Sequence, residues 1–231
     1  MLSGARRASL MLLATLLLTL TAQTAWAAIG GTGTQSDPYT INSADDWNTF
    51  ASNVSNGTTY QDKFVKLTDD ISVTTMVGTS EHPFKGKFNG GGHILTVAYG
   101  TSDSYFNEEF VAPFRFVDGS DFRFLQVSGE IYTSQGYAGG LVAHANSDNT
   151  FFHCISDVII RSSMDGEGKH GGFVGIAFGS ENSLTFTNCL SKVNISGDNL
   201  TGCAGFVGWH EDNSRAVFRN CYFKGNNLTN D

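Results

Sequence analysis

An internal repeat of 32 to 35 residues constrains this chain more than any other feature of its sequence. A block with a Gly-apolar-Val core occurs three times, at residues 140–143, 172–175 and 205–208. A second block with a Phe-x-x-Cys pattern follows each copy, at residues 151–154, 186–189 and 218–221. Repeats of this length are typical of architectures in which each unit buries its apolar side only against its neighbours.

A more degenerate copy of the unit lies upstream of the three clear ones. Phe122 and Leu125 stand 29 residues before Phe151 and Cys154, and Pro113-Phe114 takes the place of the later Gly-Leu or Gly-Phe pair. We therefore expect a fourth unit before the clear repeats.

Each unit contains strand-sized apolar stretches separated by Gly, Asn, Asp and Ser, and it shows no helix-length periodicity. An apolar period of two between turn-forming residues predicts short strands. Rival repeat folds fit less well, because a propeller blade usually needs about 40 residues and no leucine-rich consensus is present. The sequence therefore predicts an all-β fold, a parallel β-helix or β-solenoid.

The Phe-x-x-Cys spacing makes a specific prediction about the interior. Phe186 and Cys189 break strict alternation, so both side chains point inward only if Asn188 adopts a left-handed turn or bulge, which Asn tolerates. His153 takes the same place one unit earlier. We expect Phe151, Phe186 and Phe218 to form one interior column, and Cys154, Cys189 and Cys221 to form a neighbouring column of free, packed thiols.

The start of the body is not a repeat and reads as a short N-terminal capping helix. Ser43 is a suitable N-cap, Trp47, Phe50 and Val54 share one helical face, and Gly57 ends the pattern. A solenoid needs its first coil covered, so that apolar side chains do not meet water. We predict that this helix is the cap.

The chain divides into three regions. Residues 1–27 are a signal peptide, residues 28–110 form the N-terminal cap and first coils, and residues 111–231 form the β-helix repeats. Within the second region we predict a strand at residues 64–67 and a glycine-rich hairpin at residues 84–97.

The first 27 residues have the order of a secretory signal. Arg6 and Arg7 precede an apolar run at residues 10–20, and Ala25-Trp26-Ala27 provides the cleavage motif. That run of about eleven residues is short of the roughly 20 that span a bilayer, and no second long apolar segment follows. We expect cleavage after Ala27, a secreted, extracellular or cell-envelope location, and no membrane span in the mature chain.

The charge balance is acidic, with 22 Asp and Glu against 14 Lys and Arg and a formal net charge of −8. An acidic body without a basic run argues against nucleic acid and anionic membranes as partners. No cysteine pair has zinc-ligand spacing, and neither a metalloprotease motif nor a phosphate loop is present. We predict no cofactor and no metal.

The repeat cores at Gly140, Gly172 and Gly205 resemble those of secreted β-helical proteins that carry the GLUG motif. That motif is common in gut-associated Bacteroidetes and is attached to some IgA peptidases. The opening of the body is similar to theirs too, at residues 31–34, 37–39, 44–47, 66–71 and 84–93. The resemblance implies a right-handed parallel β-helix, export to the envelope or beyond, and adhesion or glycan contact. It transfers no catalytic residue.

No catalytic constellation is identifiable. Glycoside hydrolysis usually needs two facing carboxylates, and most acidic residues of the repeats lie in turns where Asp is expected for conformational reasons. We therefore expect a non-catalytic surface protein that mediates adhesion or binds glycans or a host surface. A β-helix polysaccharide lyase or glycoside hydrolase is one alternative, and a structural stalk or fragment of a larger surface protein is another.

Aromatic and histidine side chains near predicted loops are the candidate ligand-binding residues. They are Trp209, Tyr137, Phe178, His144 and His210. The aromatic rings are suited to stacking on sugars or contacting a protein. The alternative is that they only cover neighbouring coils and bind nothing. The expected partners are a polysaccharide or a protein of a host or cell surface.

The last repeat is expected to be an exposed edge. Leu228 is the one large apolar residue after Lys224, too little to cover Trp209, Phe218 and Tyr222. Uncovered strand edges and apolar side chains favour pairing with another chain, so end-to-end self-association is expected.

Overall fold

The computed structural model describes residues 29–179 and 182–229, without the side chains of residues 227–229. This part of the chain contains one helix, α1 (Ala44–Ser55), and 23 strands. The predicted signal peptide lies outside the described residues, as does the side chain of Leu228.

The strands are short and follow one another with few intervening residues. Those before the clear repeats are β1 (Tyr39–Ile41), β2 (Phe64–Leu67), β3 (Ile71–Val73), β4 (Lys87–Asn89), β5 (Ile94–Tyr99), β6 (Phe114–Asp118), β7 (Asp121–Arg123), β8 (Gln126–Thr133) and β9 (Tyr137–Gly139). Those that follow are β10 (Val142–Asn146), β11 (Asn149–Phe152), β12 (Ile155–Ser162), β13 (Gly166–Glu167), β14 (Lys169–Gly171), β15 (Val174–Phe178), β16 (Ser183–Thr187), β17 (Leu190–Ser191), β18 (Asn194–Gly197), β19 (Leu200–Thr201), β20 (Val207–His210), β21 (Arg215–Arg219), β22 (Tyr222–Phe223) and β23 (Asn226–Thr229).

Three parallel sheets form the faces of the molecule. Sheet A has the spatial order β1-β2-β4-β7-β11-β16-β21, and sheet C has the order β6-β10-β15-β20. Sheet B contains β3, β5, β8, β12, β17 and β22, with β18 and β23 alongside. Two small sheets, β9-β14 and β13-β19, complete the described strands.

Neighbouring strands in a sheet come from successive turns of the chain, which we call coils. The chain passes from sheet C to sheet A and then to sheet B, and it returns to sheet C one strand further along. Coils of this kind begin at β6, β10, β15 and β20. The predicted all-β parallel β-helix is confirmed.

A column of phenylalanine rings runs through the interior behind sheet A. Phe122, Phe151, Phe186 and Phe218 are register partners on successive strands. Their ring centroids lie 5.4, 4.7 and 5.1 Å apart with planes within 10° of parallel. The first three rings are buried, while Phe218 is 48% exposed because it belongs to the last coil. The predicted phenylalanine column is confirmed, with its final ring open on one side.

The cysteine column lies at the corner between sheets A and B. All four cysteines of the chain are free, and Cys154 and Cys189 are buried. Asn188 and His153 have φ values of 55° and 53°, the left-handed conformation that the Phe-x-x-Cys spacing requires. Burial raises the pKa of the Cys154 thiol well above its ordinary value. This thiol therefore packs as a small apolar group.

The N-terminal helix forms as predicted. Ser43 is the N-cap, and its hydroxyl accepts a 3.2 Å hydrogen bond from the backbone N–H of Asp46. Trp47, Phe50 and Val54 have no exposed surface. Trp47 contacts the rings of interior residues of the first coils at centroid distances of 5.4 to 6.2 Å. The helix therefore covers the interior of these coils.

The predicted hairpin at residues 84–97 is wrong. Strand β4 lies in sheet A and β5 in sheet B, each paired in parallel with strands from other coils. Gly91 and Gly92 have φ values of 63° and 84° and turn the chain around a corner of the solenoid instead of reversing it. Turn-forming residues between two strands indicate a change of direction, but they do not specify its angle.

The alignment of the degenerate unit needs a shift of one residue. Phe114 pairs with Val142, which in turn pairs with Val174, so Phe114 does not take the place of Leu141. The register of Phe122 with Phe151 and of Ile131 with Ile160 agrees with the predicted offset of 29.

Large apolar side chains are exposed on the last coil. Phe218, Tyr222 and Phe223 are 48%, 64% and 38% exposed. Strand β23 extends sheet B alongside β18. End-to-end self-association stays a prediction.

Candidate functional site

Two large apolar side chains stand out on the surface of the described residues away from the last coil. Phe178 is 46% exposed and Phe124 is 44% exposed. Phe178 ends a strand of sheet C, whereas Phe124 follows a strand of sheet A. Exposed apolar groups that belong to larger patches often indicate contact surfaces.

Phe178 belongs to a row of rings that we call the aromatic strip. Phe116, His144, Ile176 and Trp209 are register partners along sheet C, from β6 to β20. The rings of the strip are Phe110, Phe116, Tyr137, His144, Phe178 and Trp209.

The rings of the strip contact one another continuously along the solenoid axis. Phe110 stacks on Tyr137 with centroids 4.8 Å apart, and it lies 5.3 Å from His144. Phe178 lies between His144 at 5.8 Å and Trp209 at 6.0 Å. These contacts hold the rings in place, while the outer part of Phe178 stays accessible to a partner.

Polar groups accompany the apolar surface. The Lys169 ammonium lies 4.6 Å from the Trp209 ring centroid and 5.8 Å from that of Tyr137. Burial lowers the pKa of His144, and its Nδ1 has no hydrogen-bond partner among the described residues. The neutral imidazole therefore serves as a flat, weakly polar ring within the strip.

Four of the five predicted binding residues come together here. Trp209, Tyr137, Phe178 and His144 are members of the strip, but His210 is not. His210 pairs with Ala177, whose side chain is buried, so it lies off the row that contains Trp209. It is exposed, and its Nδ1 lies 3.2 Å from the carbonyl oxygen of Glu211.

Sequence reasoning missed Phe116, which belongs to the degenerate upstream unit, and Phe110, which precedes that unit. The offset between Phe116 and His144 could have identified Phe116 as a member of the row. It is one residue shorter than the offset between Phe122 and Phe151, which is the same shift that Phe114 shows. Phe110 lies in a segment that the repeat alignment does not reach.

Phe124 lines a groove on the outer face of sheet A, which we call the sheet A groove. It has a volume of about 570 Å³ and is lined chiefly by side chains of β2, β4 and β7. Its charged, amide and aromatic lining side chains include Phe64, Lys66, Lys87, Asn89, Arg123 and Phe124. An adjoining hollow of about 340 Å³ continues over β11 and β16, where threonine side chains form much of the lining.

The groove is rich in positive charge. The outward-facing residues of sheet A form two rows, and the described strands place Lys66, Lys87, Arg123 and Arg219 in these rows with Asp121 as the one acidic residue. The chain as a whole has a net charge of −8. Acidic side chains are therefore scarce on this face, and the charges of its two rows sum to a positive value.

The charged groups of the groove are partly arranged by their neighbours. Arg123 donates from Nε to both oxygens of Asp121 at 2.9 and 3.0 Å, and this pairing raises the pKa of the guanidinium. The Lys87 ammonium lies 4.8 Å from the centre of the Phe64 ring. Arg123 is nevertheless 56% exposed at its side chain, so its remaining donors are open to solvent.

Phe124 adopts a backbone conformation that is unusual for its residue type. Its φ is 50°, as at the equivalent corner positions His153, Asn188 and Asn220 in later coils. A bulky residue in this left-handed region is an outlier, whereas Asn is tolerated there. Its ring stacks on His153 at 5.4 Å and still leaves 44% of the residue exposed.

The described residues contain no group of three or more His, Cys, Asp or Glu side chains arranged to hold a metal ion. The helix within these residues is neither long nor apolar enough to cross a membrane.

The fold places this chain among parallel β-helix proteins. No family model matches it, and no curated protein matches it. Among solved structures it is similar to a putative immunoglobulin A1 protease from Bacteroides ovatus, with a TM-score of 0.46 and 17% identity over 84% of this chain and 69% of that one.

Proposed function

We propose that this protein is an exported, non-catalytic β-helix, similar to GLUG-motif proteins, that binds surface glycans through the aromatic strip. The observation that carries the proposal is the continuous row of rings along sheet C, with Phe178 46% exposed at its centre. Aromatic faces and edges contact the C–H groups of sugar rings, and Lys169 and the Tyr137 hydroxyl supply nearby hydrogen-bond donors. The signal-like leader supports action outside the cell.

The geometry of the strip favours an extended ligand over a small one. Parallel strands repeat at about 4.8 Å, so the strip presents a new ring with each coil along the axis. Because the rings support one another, little side-chain entropy is lost when a ligand orders them. A glycan chain that lies along the axis contacts several rings at once.

A glycan array probed with the purified protein tests this function. We expect retention of neutral glycans, and a Phe178→Ala variant should weaken the best neutral ligand by about tenfold, which corresponds to about 1.4 kcal/mol. Tyr222→Ala is the control, because Tyr222 is 64% exposed on sheet B, away from the strip, and it should leave neutral binding unchanged. Failure to retain any neutral glycan, or equal losses in the two variants, would contradict the proposal.

A further inference from the structure

The sheet A groove is a second surface, independent of the aromatic strip, and we propose that it binds an acidic polysaccharide aligned with the solenoid axis. The charge of this face points to an anionic ligand. Four cationic residues and one carboxylate share the outward rows of the described strands of sheet A, in a chain with a net charge of −8. A local positive field on an acidic protein favours an anionic ligand at that place.

The shape of the groove and its adjoining hollow suits an extended ligand. The groove of about 570 Å³ and the adjoining hollow of about 340 Å³ share Asp121 and Arg123, so they form one trough over β2, β4, β7, β11 and β16. Five strands spaced at about 4.8 Å give a trough roughly 19 Å long. Cations stand along it, from Lys66 and Lys87 at one end through Arg123 to Arg219 beyond the other. This arrangement suits a polymer with repeated negative charges.

Phe124 has a backbone conformation that is unusual for a bulky residue. At the equivalent corner of later coils the residues are His153, Asn188 and Asn220, and Asn is the type that tolerates a left-handed backbone. Phe124 is a bulky residue in this conformation, and 44% of it stays exposed at the groove although its ring contacts Phe152 and His153. Strained residues of this kind concentrate at binding sites. The exposed ring provides an apolar platform for a sugar.

The position of the trough on the face of sheet A favours a polysaccharide over an acidic peptide as the ligand. Extended peptides bind sheets by adding a strand to an open edge, where backbone groups are unpaired. The trough lies on the face of sheet A, between strands that are already paired on both sides. Because the backbone groups of these strands are paired, the groups left for a ligand are on side chains: ammonium and guanidinium groups, the Asn89 amide, threonine hydroxyls and the Phe124 ring. These groups match carboxylates, hydroxyls and C–H faces of an acidic sugar chain.

Affinity measurements on the purified protein test the proposal with two acidic polymers, polygalacturonate and chondroitin sulfate. We expect at least one to bind, with an affinity that falls as salt is raised because screening weakens the contacts. Fully methyl-esterified polygalacturonate keeps the sugar and removes the charge, so it should bind at least tenfold more weakly than polygalacturonate if that is the polymer bound. Neutral dextran should not bind to the groove.

Two variants with matched controls locate the site. Lys87→Gln should weaken binding of the acidic polymer severalfold, while Lys224→Gln, at another exposed lysine outside sheet A, should not. Phe124→Asn should fold with a melting temperature close to that of the parent, because Asn accommodates the left-handed backbone, and should lose about tenfold in affinity. Tyr222→Asn, which removes an exposed ring on sheet B outside both proposed surfaces, should bind the acidic polymer as the parent does.

The following outcomes would overturn the proposal. They are no binding of either acidic polymer, equal and Phe124-dependent binding of the esterified form, equal losses in the Phe124 and Tyr222 variants, and Phe124-dependent binding of poly-glutamate or an oligonucleotide at the affinity of the sugar polymer. None of them bears on the aromatic strip, whose test uses neutral glycans.

Discussion

His170 is the residue whose burial has the clearest consequence for stability. It lies in β14 with no exposed surface, and neither ring nitrogen has a hydrogen-bond partner among the described residues. Burial lowers the pKa of this imidazole from 6.5 to about 4. The folded protein therefore keeps His170 neutral at a pH where the unfolded chain protonates it.

The stability of the fold should depend on pH through this group. Above pH 6.5 His170 is neutral in both states, and as the pH falls toward 4 only the unfolded chain gains the proton, so the free energy of unfolding decreases. The loss attributable to His170 is about 3 kcal/mol from the pKa difference. In urea unfolding between pH 4 and 7, His170→Leu should remove that part of the slope.

His210→Leu is the control for this measurement, since His210 is exposed. It should retain the slope of the parent protein. A His170→Leu variant with the full parental slope would show that other groups cause the acid sensitivity.

Phe186 shows how one side chain supports several coils. It has no exposed surface, stacks between Phe151 and Phe218, and meets Phe173 and Phe206 edge-on at 5.6 and 5.5 Å. Phe186→Ala should lower the free energy of unfolding by about 3–5 kcal/mol, the usual cost of emptying an aromatic core site.

Urea titration of the parent and the Phe186→Ala variant measures this loss. Phe218→Ala is the comparison, and it should cost less because Phe218 is 48% exposed. Equal losses at the two positions would mean that the Phe218 ring is covered in solution, contrary to its exposure in the structure.

At this scale the sequence was informative where residue type and conformation agree. The broken alternation before Cys189 correctly predicted a left-handed Asn188, and His153 followed by alignment. Phe124 was not predicted, because its type argues against the conformation that its position imposes. The residue most useful for locating the groove was therefore hidden from propensity arguments.

Among the elements, α1 was predictable because its signals are local. Its N-cap, acidic first turn and apolar face all lie within residues 43–54. The course of the chain at residues 84–97 was not predictable in the same way, because pairing of β4 with β7 and of β5 with β8 depends on strands some 30 residues away. A local pattern specifies a strand and a turn but not the strand's partner.

The N-cap of α1 can be tested directly. Ser43→Ala removes the hydroxyl that accepts from the backbone N–H of Asp46 at 3.2 Å, and it should cost about 1 kcal/mol of unfolding free energy. Ser55→Ala, at the exposed last residue of the helix, is the control and should change stability little.

Chemical denaturation of both serine variants gives the comparison. If Ser43→Ala were as stable as the parent, the helix start would be held by the packing of Trp47 and Phe50 alone.

On the scale of the whole molecule, the repeat predicted the architecture, and it predicted most of the aromatic strip, since Trp209 and His144 align through it. The sheet A groove was not predicted. Its lining comes largely from residues 35–38, 64–66 and 87–89, which precede the recognisable repeats. Its positive charge is also invisible in a composition that is acidic overall. Stacking of coils brings these distant cations together.

Because the register between coils is constant, whole coils can be added to or removed from this molecule. Val142 pairs with Val174, and Phe151 pairs with Phe186. Strands β15 and β16 therefore offer the next coil the same pattern of side chains that β10 and β11 offer to them. Excision of residues 142–173 would place Val174 after Leu141 and let β16 meet β7 with the phenylalanine column intact. Duplication of the same segment would lengthen the solenoid by one coil. Gain or loss of whole units therefore offers evolution a way to adjust reach without redesigning the core.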